Sequence, residues 1–151
     1  MENYSDFRRT NYPGLLMYFV AHYLEVEQNK LLRPYGVTHS QTQLLAYLYA
    51  HQDQDIFQKD LERTFNLKGS TVTRLLQLLK DKGLVTSQEC VYDKRAKLLS
   101  ITEKAAGLHE VFSGTLDSVE QIVADQLSED ELAELKVLMT KVYKGIYRGQ
   151  D

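Results

Sequence analysis

The sequence is poor in the residues and segments on which several large classes of protein depend. Cys90 is its single cysteine, which excludes a disulfide framework within the chain and fits a reducing cytoplasm. The best apolar stretch, Leu15 to Leu24, is short and is interrupted by His22, so neither a transmembrane span nor a signal peptide is predicted. These features indicate a cytoplasmic globular protein without a membrane partner.

Catalytic and metal-binding patterns are also missing. The sequence contains no G-x-S-x-G, no H-E-x-x-H, no phosphate-binding glycine-rich loop and no Cys/His pair in a credible context. Its histidines, at positions 22, 39, 51 and 109, have no second ligand at a close spacing. A zinc site that includes His109-Glu110, on a long helix, is the alternative, and packing or surface histidines are the preferred interpretation. We therefore expect no enzyme, no cofactor and no metal, and we interpret Cys90 as incidental rather than as a redox switch.

Charge is distributed unevenly along the chain. The net charge is −3, which by itself argues against a nucleic-acid partner. Between Lys68 and Lys104, however, eight basic residues stand against four acidic ones, while the remainder has ten basic and seventeen acidic residues. A local positive field of this kind is typical of a DNA contact, although a charged segment is more often simply a solvated surface.

Two helices are predicted in the first third of the chain. Apolar residues at helical spacing run from residue 15 to residue 32, and Pro34-Tyr35-Gly36 ends this first helix. Thr38 and Gln41 form a capping box, which begins a second helix that extends to about His51.

The centre of the chain follows the helix-turn-helix pattern. A short helix over residues 58–66 is followed by a tight, glycine-containing connection, and then by a longer helix over residues 70–82. Gly83 is suited to the left-handed position that ends this helix. Any helical hairpin can imitate such a pattern, so it is moderately specific on its own.

The segment that follows makes the pattern more specific. Residues 84–88 and 97–101 are predicted to form two short strands with a polar tip between them, which is the arrangement of a wing. A long helix is then expected from Thr102, a suitable N-cap, to about Leu127. A second capping box, Ser128 to Glu131, begins the last helix.

The helices at the two ends carry more apolar surface than the central domain can cover. They either fold back on the core of one monomer or bury this surface against a second copy in a symmetric dimer, and the dimer is preferred. We therefore predict a mainly α fold with a small β-wing. Residues 1–36 form an N-terminal dimerisation helix, residues 37–104 a winged helix-turn-helix DNA-binding domain, and residues 105–151 C-terminal dimerisation helices.

Four motifs occur in a recognisable order and spacing. They are S-T-V-T-R-L-L at 70–76, K-G-L-V at 82–85, D-K-R at 93–95 and L-L-S-I-T-E-K at 98–104. In these motifs the chain resembles the MarR family of bacterial winged helix-turn-helix regulators, and the resemblance covers essentially its whole length. There are two departures from the family pattern. Phe57 stands where the family often has a Ser or Thr cap, so an irregular entry to the short helix is expected, and no cysteine occurs near the amino terminus, where peroxide-sensing members carry theirs.

The resemblance implies a function as well as a fold. It implies a homodimer, held by the first helix and the last two, whose two winged lobes bind pseudo-palindromic double-stranded DNA. It also implies regulation, usually repression, that is relieved when a small molecule or an oxidant alters the spacing of the lobes. Tyr12, Tyr18 and Tyr23 are candidates for lining an effector pocket, although aromatic residues at this spacing more often belong to a core.

The candidate DNA-binding residues lie on one side of the second helix of the motif. At 100° per residue, Val72, Leu75, Leu76 and Leu79 share the core side. Polar side chains near the amino-terminal end of the opposite side are the ones that reach DNA. Hydroxyls bond phosphates or base edges, Gln pairs with adenine, and Arg grips guanine or a phosphate. The candidates in this helix are Ser70, Thr71, Thr73, Arg74 and Gln77.

The wing supplies the remaining candidates. Arg95 suits a narrow minor groove, where the negative potential is enhanced, and Lys94 and Lys97 add attraction to phosphates. Asp93 cannot itself attract a phosphate, so we expect it to orient the guanidinium of Arg95, as the family's D-x-R motif implies.

Alternative functions are a winged-helix protein-interaction module without DNA binding and, more remotely, an enzyme. The net acidity permits the interaction module, and the presence of Arg74 and Arg95 together argues against it. The operator, the regulated genes, the effector and the sign of regulation are not determined by the sequence.

Overall fold

The computed structural model describes residues 11–147 of the chain. Its elements are α1 (Pro13–Leu32), α2 (His39–Ala50), α3 (Gln58–Phe65), α4 (Gly69–Asp81), β1 (Val85–Glu89), β2 (Lys97–Ile101), α5 (Glu103–Gly107), α6 (His109–Ala124) and α7 (Glu129–Tyr147). Seven α-helices and one two-stranded sheet within residues 11–147 confirm the predicted mainly α fold with a small β-wing. Residues 1–10 and 148–151, which belong to the expected dimerisation segments, lie outside the described residues.

The chain divides into two compact units, Met1–Leu116 and Asp117–Asp151. The first unit contains both strands and the helices from α1 to α5, together with the start of α6. The second contains the rest of α6 and α7, and Ser128 and Glu131 form the predicted capping box before α7. The Glu131 amide donates to the Ser128 hydroxyl at 3.2 Å, and the Ser128 amide donates to the Glu131 carboxylate at 2.9 Å.

The turn between α1 and α2 is built by local chemistry. A 3-10 turn, Arg33–Tyr35, ends at Gly36, whose φ of 67° lies in the left-handed region that glycine occupies without strain. The amide of Gln41 donates to the Thr38 hydroxyl at 3.4 Å, and the amide of Thr38 donates to the Gln41 side-chain oxygen at 3.3 Å. The predicted capping box is therefore confirmed, and it fixes where α2 begins.

The entry to α3 is regular, contrary to the expectation from Phe57. The backbone of Phe57 is extended, and its amide donates to the Asp60 carboxylate at 2.8 Å. Asp60 thus supplies one half of a capping box from inside the helix, which compensates for the missing Ser or Thr. At its other end α3 stops at Asn66, which adopts the left-handed conformation with φ 49°.

The end of α4 confirms the role predicted for Gly83. Its φ is 69°, its amide donates to the Lys80 carbonyl at 2.9 Å, and the next amide, of Leu84, donates to the Leu79 carbonyl at 2.9 Å. These bonds satisfy carbonyls that a helix end otherwise leaves free. The chain is thereby redirected into β1.

The wing is an antiparallel hairpin. Its register runs from Val85 opposite Ile101 to Glu89 opposite Lys97, within one residue of the predicted strands. The Leu99 amide donates to the carbonyl of the buried Ile56 at 2.8 Å, so β2 is hydrogen-bonded to the segment before α3. This bond ties the wing to the helix-turn-helix.

The helix expected from Thr102 to Leu127 is interrupted. Thr102 caps α5 as predicted, since its hydroxyl accepts the Ala105 amide at 3.2 Å. At Leu108, however, the amide donates to the Ala105 carbonyl at 3.1 Å, three residues back, in the manner of a 3-10 turn. The continuous apolar periodicity does not reveal this break, because Leu108 itself belongs to the run of apolar residues at helical spacing.

The core of the first unit is formed by residues that the helical spacing had placed inward. Leu44, Leu45 and Leu48 of α2 are buried together with the predicted inward residues of α4. Those residues are Val72, Leu75, Leu76 and Leu79. Leu61 of α3 has no exposed surface, and Phe65 packs against the cluster as a half-buried side chain. Packing on this core fixes the orientation of the outer face of α4.

Apolar residues remain exposed on both terminal helices. On α1 they form a stripe that includes Leu15, Leu16, Val20 and Tyr23, and on α7 they include Leu138, Met139, Val142, Tyr143 and Ile146. A monomer rarely exposes so much contiguous apolar surface without using it for association. Across residues 11–147, no helix combines the length and the apolar character that crossing a bilayer requires.

Candidate nucleic-acid interface

The outer face of α4 carries the polar residues that the sequence placed there. Ser70, Thr73, Arg74 and Gln77 are exposed, and Thr71 is half-buried. They lie opposite the buried residues of the same helix, so packing holds the helix while its outer face stays exposed to solvent. Hydroxyl, guanidinium and amide groups on a helix of this kind are suited to phosphate oxygens and to base edges in a major groove.

The two helices of the motif approach closely at the start of α4. A Cβ atom at Gly69 would lie 2.9 Å from a carboxylate oxygen of Glu62, so the absence of a side chain at position 69 allows this approach. The side-chain nitrogen of Gln58 donates to that carboxylate at 2.9 Å and to the Gly69 carbonyl at 3.2 Å. The tight connection predicted from its glycine is therefore held by side chains of α3.

The same nitrogen of Gln58 also donates to the hydroxyl of Thr73 at 3.0 Å. Gln58 is the first residue of α3, and Thr73 is one of the candidate DNA-binding residues of α4. Gln58 is not among the site residues predicted from the sequence. Polar residues at the start of a helix are common, and nothing in the sequence near residue 58 indicates a contact with α4. The signal available was its spacing from Thr73 within a helix-turn-helix.

The wing presents its charged residues at an exposed tip. Val91 and Tyr92 are 92% and 96% exposed, and Asp93, Lys94, Arg95 and Lys97 are exposed as well. The Cys90 amide donates to the Ala96 carbonyl at 3.1 Å and closes the loop. The candidate cations of the wing therefore project from a hairpin of defined shape.

The contact between Asp93 and Arg95 differs from the expected one. A carboxylate oxygen of Asp93 accepts the backbone amide of Arg95 at 2.9 Å. It forms no ion pair with the guanidinium, since the single ion pair between side chains of residues 11–147 joins Lys30 and Glu27 at 2.6 Å. Asp93 thus fixes the backbone from which Arg95 projects, because a carboxylate two residues before an amide is well placed to close a turn.

Two lysines of the basic segment are engaged inside the domain. The ammonium of Lys82 donates to the Gly36 carbonyl and to the side-chain oxygen of Gln41, the latter at 2.9 Å. The ammonium of Lys104 donates to the Lys82 carbonyl at 3.1 Å. Lys82 therefore joins the end of α4 to the start of α2, and Lys104 joins α5 to the end of α4. Both ammonium groups are directed toward protein carbonyls, so they are less suited than the exposed wing residues to contact DNA.

Two basic residues from outside the basic segment, Lys59 and Arg63, add positive charge beside the wing. A groove between α3, the end of α4 and the wing is lined by five basic residues, namely Lys59, Arg63, Lys80, Arg95 and Lys97, and by three acidic ones, Asp60, Glu62 and Asp93. Lys59 and Arg63 lie before the basic segment, among acids of the same helix, so the sequence count missed them. The fold brings them to the side of the wing that carries Arg95.

A separate pocket of about 130 Å³ lies within the first unit. Its lining is mostly apolar, with Leu45, Phe112 and Leu116 among its residues, and its polar rim includes Gln28 and His39. The Gln28 side chain donates to the Thr115 hydroxyl at 3.1 Å, and its oxygen lies 2.5 Å from a ring nitrogen of His39. This network joins α1, α2 and α6 around the pocket.

The tyrosines of the first helix that are candidates for an effector pocket do not line this cavity. Tyr12, Tyr18 and Tyr23 are 60%, 73% and 55% exposed, so none of them is buried among residues 11–147 of one chain. The aromatic wall of the pocket comes from Tyr49 and His109, whose rings stack with centroids 3.6 Å apart. The first-helix tyrosines belong instead to the exposed face of α1.

The remaining candidate ligands have structural contacts. A ring nitrogen of His51 lies 2.8 Å from the Tyr47 carbonyl, and the two rings stack. Cys90 is half-buried at the end of β1. Among the described residues, no three side chains of His, Cys, Asp or Glu are grouped so that they could hold a metal ion.

Comparison with known proteins places these features in context. A sequence model of the MarR family matches residues 35–96. S. aureus MepR, in the crystal structure of its complex with DNA, is 30% identical in sequence to this chain. The two structures align with a TM-score of 0.80, and the match covers 87% of this chain and 96% of that chain. MepR, a transcription regulator of the Staphylococcus aureus multidrug efflux pump MepA, is 29% identical, with a TM-score of 0.67 over 88% and 97%. Wild-type MarR from E. coli, in its apo form, is 26% identical, with a TM-score of 0.72 over 85% and 94%.

Proposed function

The chain belongs to the MarR family of DNA-binding transcriptional regulators, and we propose that it represses its target genes by binding a pseudo-palindromic operator as a homodimer until a small-molecule effector releases it. The observation that carries this proposal is the exposed polar face of α4 beside a wing tipped by Arg95, in a chain that is 30% identical to a MepR solved with DNA. The role is binding, with no catalytic step assigned to any residue. Its site of action is the cytoplasm, where the DNA of a bacterium lies.

The proposal assigns α4 to the major groove and the wing to the adjacent minor groove. Base and phosphate contacts come from the candidate residues of α4, namely Ser70, Thr71, Thr73, Arg74 and Gln77. Lys94, Arg95 and Lys97 contact the DNA from the wing, and Asp93 shapes the tip. What supports this assignment is their exposure on one domain whose core is buried on the other side.

Dimerisation is assigned to the two terminal segments. Residues 1–36 and 105–151 carry the exposed apolar faces of α1 and α7, and residues 37–104 carry the DNA-binding domain. Two copies related by a two-fold axis present two such domains, which suits an operator with two half-sites.

The effector is proposed to bind the pocket of about 130 Å³ in the first unit. An apolar cavity of this size accepts a single benzene-sized ring, and the stacked Tyr49 and His109 offer an aromatic wall. Because the pocket is lined both by α2, which belongs to the DNA-binding domain, and by α5 and α6, which follow that domain, occupation favours a conformation that differs from the DNA-bound one.

The test is an unbiased search for a DNA ligand. The purified protein selects duplexes from a randomised library, and fluorescence anisotropy then compares a selected duplex with a scrambled one of the same length at fixed salt. We expect a selected sequence with two-fold symmetry and at least a thousandfold preference over the scrambled duplex. Failure to enrich any duplex would favour the protein-interaction module instead, and would leave the fold assignment intact.

A further inference from the structure

Gln58 occupies a position that connects the two helices of the DNA-binding motif. Its side-chain nitrogen lies 3.0 Å from the Thr73 hydroxyl oxygen, 2.9 Å from a Glu62 carboxylate oxygen and 3.2 Å from the Gly69 carbonyl oxygen. These residues belong to α3 and to the first turns of α4. The close approach permitted by Gly69 brings all of them around one amide group.

These contacts define the orientation of the Gln58 amide. A carboxylate and a backbone carbonyl can only accept hydrogen bonds, so the atom between them must be the NH₂ group and not the oxygen. The reversed amide would place its oxygen against the Glu62 carboxylate and the Gly69 carbonyl, neither of which can donate to it. Glu62 and Gly69 therefore hold the nitrogen of Gln58 toward Thr73.

The orientation of Gln58 in turn determines the role of the Thr73 hydroxyl. The NH₂ group has two hydrogens for these three acceptors, so they share them, and it has no lone pair available to accept a hydrogen bond. Toward Gln58 the Thr73 oxygen is therefore only an acceptor, and the hydroxyl proton is directed elsewhere. Within residues 11–147, the Thr73 hydroxyl donates no hydrogen bond, not even to the Gly69 carbonyl one helical turn before it. Thr73 is exposed on the outer face of α4, so its proton is available to a ligand at that face.

We infer that Gln58 is a positioning residue that fixes the Thr73 hydroxyl as a hydrogen-bond donor, so that position 73 recognises a hydrogen-bond acceptor on the DNA. The inference rests on the proposed function, since it describes how one contact of the same interface is set. The acceptor is either a purine or pyrimidine acceptor atom in the major groove or a phosphate oxygen. In both cases an acceptor atom of the DNA takes the hydrogen bond that the Thr73 hydroxyl otherwise donates to solvent.

A double-mutant cycle measures whether Gln58 acts through Thr73. Gln58→Met keeps the length of the side chain and removes the amide, while Thr73→Val keeps the shape and removes the hydroxyl. On a duplex selected by the parent protein, we expect Thr73→Val to weaken binding about tenfold and Gln58→Met to weaken it about threefold to tenfold. The double variant should bind no more weakly than Thr73→Val alone, because the amide's other contacts, to Glu62 and Gly69, lie within the protein and are checked by the unfolding curves.

Matched controls separate positioning from folding. Thr73→Ser retains the hydroxyl and should bind like the parent when Gln58 is present. Gln52→Met changes an exposed glutamine that donates to the Tyr49 carbonyl at the end of α2, and it should leave binding unchanged. Thermal unfolding curves of all variants exclude a general loss of fold as the cause of weaker binding.

The two sources of the acceptor are distinguished by the DNA. Single base substitutions test one acceptor at a time in the selected duplex: 7-deazapurines remove N7, 2-aminopurine removes the guanine O6, and 4-thiothymine replaces the thymine O4 by a weaker acceptor. If a base is read, one substitution weakens the parent, has no further effect on Thr73→Val, and has a smaller effect on Gln58→Met, which keeps the hydroxyl without its positioning residue. If a phosphate is contacted, no single substitution stands out, and both variants lose the same factor on the selected and the scrambled duplex.

Other results would refute either the role of Gln58 or the proposed function, and the two cases are distinguishable. Additive losses for Gln58→Met and Thr73→Val would show that Gln58 does not act through Thr73 and would refute the inference. The same holds if Thr73→Val binds as tightly as the parent. Neither result affects the proposed function, which fails separately if the parent protein selects no duplex at all.

Discussion

A carboxylate oxygen of Asp93 accepts the backbone amide of Arg95 at 2.9 Å, and the Asp93 carbonyl accepts the amide of Ala96 at 3.1 Å. Two bonds from one residue therefore shape the tip of the wing. The charge of Asp93 is not neutralised by the guanidinium of Arg95, with which it forms no ion pair. Its contribution to DNA binding is the conformation of the turn, so conformation and charge can be tested separately.

Arg95→Ala is expected to weaken operator binding by about 1–3 kcal/mol, which is the range for one specific arginine contact to DNA. The free energy of unfolding should stay unchanged, because the side chain is exposed at a hairpin tip. Anisotropy titration at fixed salt gives the affinity, and a melting curve gives the stability. A variant with the affinity of the parent would remove Arg95 from the interface.

Asp93→Ala should show a smaller loss of the same kind, although it removes a negative charge near a polyanion. Asp93→Asn is the control, because its side-chain oxygen still accepts the Arg95 amide while the charge is gone. We expect Asp93→Asn to bind at least as tightly as the parent. A double-mutant cycle with Arg95→Ala isolates the coupling, and tighter binding by Asp93→Ala would mean that the wing acts only as a cationic arm.

Lys82 and Lys94 are expected to differ although both are basic residues of the same segment. Lys82→Met removes a donor to the Gly36 carbonyl and to Gln41, so it should lower the free energy of unfolding by about 1 kcal/mol. Lys94→Met should leave the free energy of unfolding unchanged. It should reduce the slope of log K for DNA binding against log salt concentration by about one in magnitude. Chemical denaturation and titrations at several salt concentrations measure the two effects, and a reversed result would contradict the assignment of Lys82 to structure.

The homodimer is expected to be obligate, with an interface on the order of 2,000 Å² or more. Leu16→Glu introduces a charge into the exposed apolar stripe of α1 and should dissociate or unfold the dimer, whereas Gln52→Glu, outside that stripe, should leave it intact. Light scattering at micromolar concentration gives the mass of each. A stable monomeric parent would disprove this prediction.

Cys90 is expected to be dispensable for regulation. It is half-buried at the end of β1, and the sequence provides no second cysteine that could resolve a sulfenic acid as a disulfide within the chain. Cys90→Ser should therefore bind a selected duplex like the parent, with and without peroxide. A peroxide response that is present in the parent and lost in the variant would identify Cys90 as a sensor.

Much of the fold could be read from local patterns in the sequence. The caps at Thr38 and Ser128, the left-handed Gly83 and the inward side of α4 were predicted correctly, because each depends on residues within one or two helical turns. Local patterns were insufficient at Phe57 and at Leu108. At Phe57 a capping group came from inside the helix, and at Leu108 one tightened turn divided a continuous apolar stripe.

The interface required contacts that periodicity does not encode. Gln58 reaches Thr73 across 15 residues and Lys82 reaches Gly36 across 46, so neither pairing can be inferred from spacing along one element. The sequence specified which residues face outward on α4, because the helical repeat and the hydrophobic effect act locally and strongly. Only the tertiary structure decided which polar groups pair with one another and which cations remain for DNA. A hydrogen bond forms only where donor and acceptor lie within a few tenths of an ångström of their preferred distance, and packing of distant segments sets that distance.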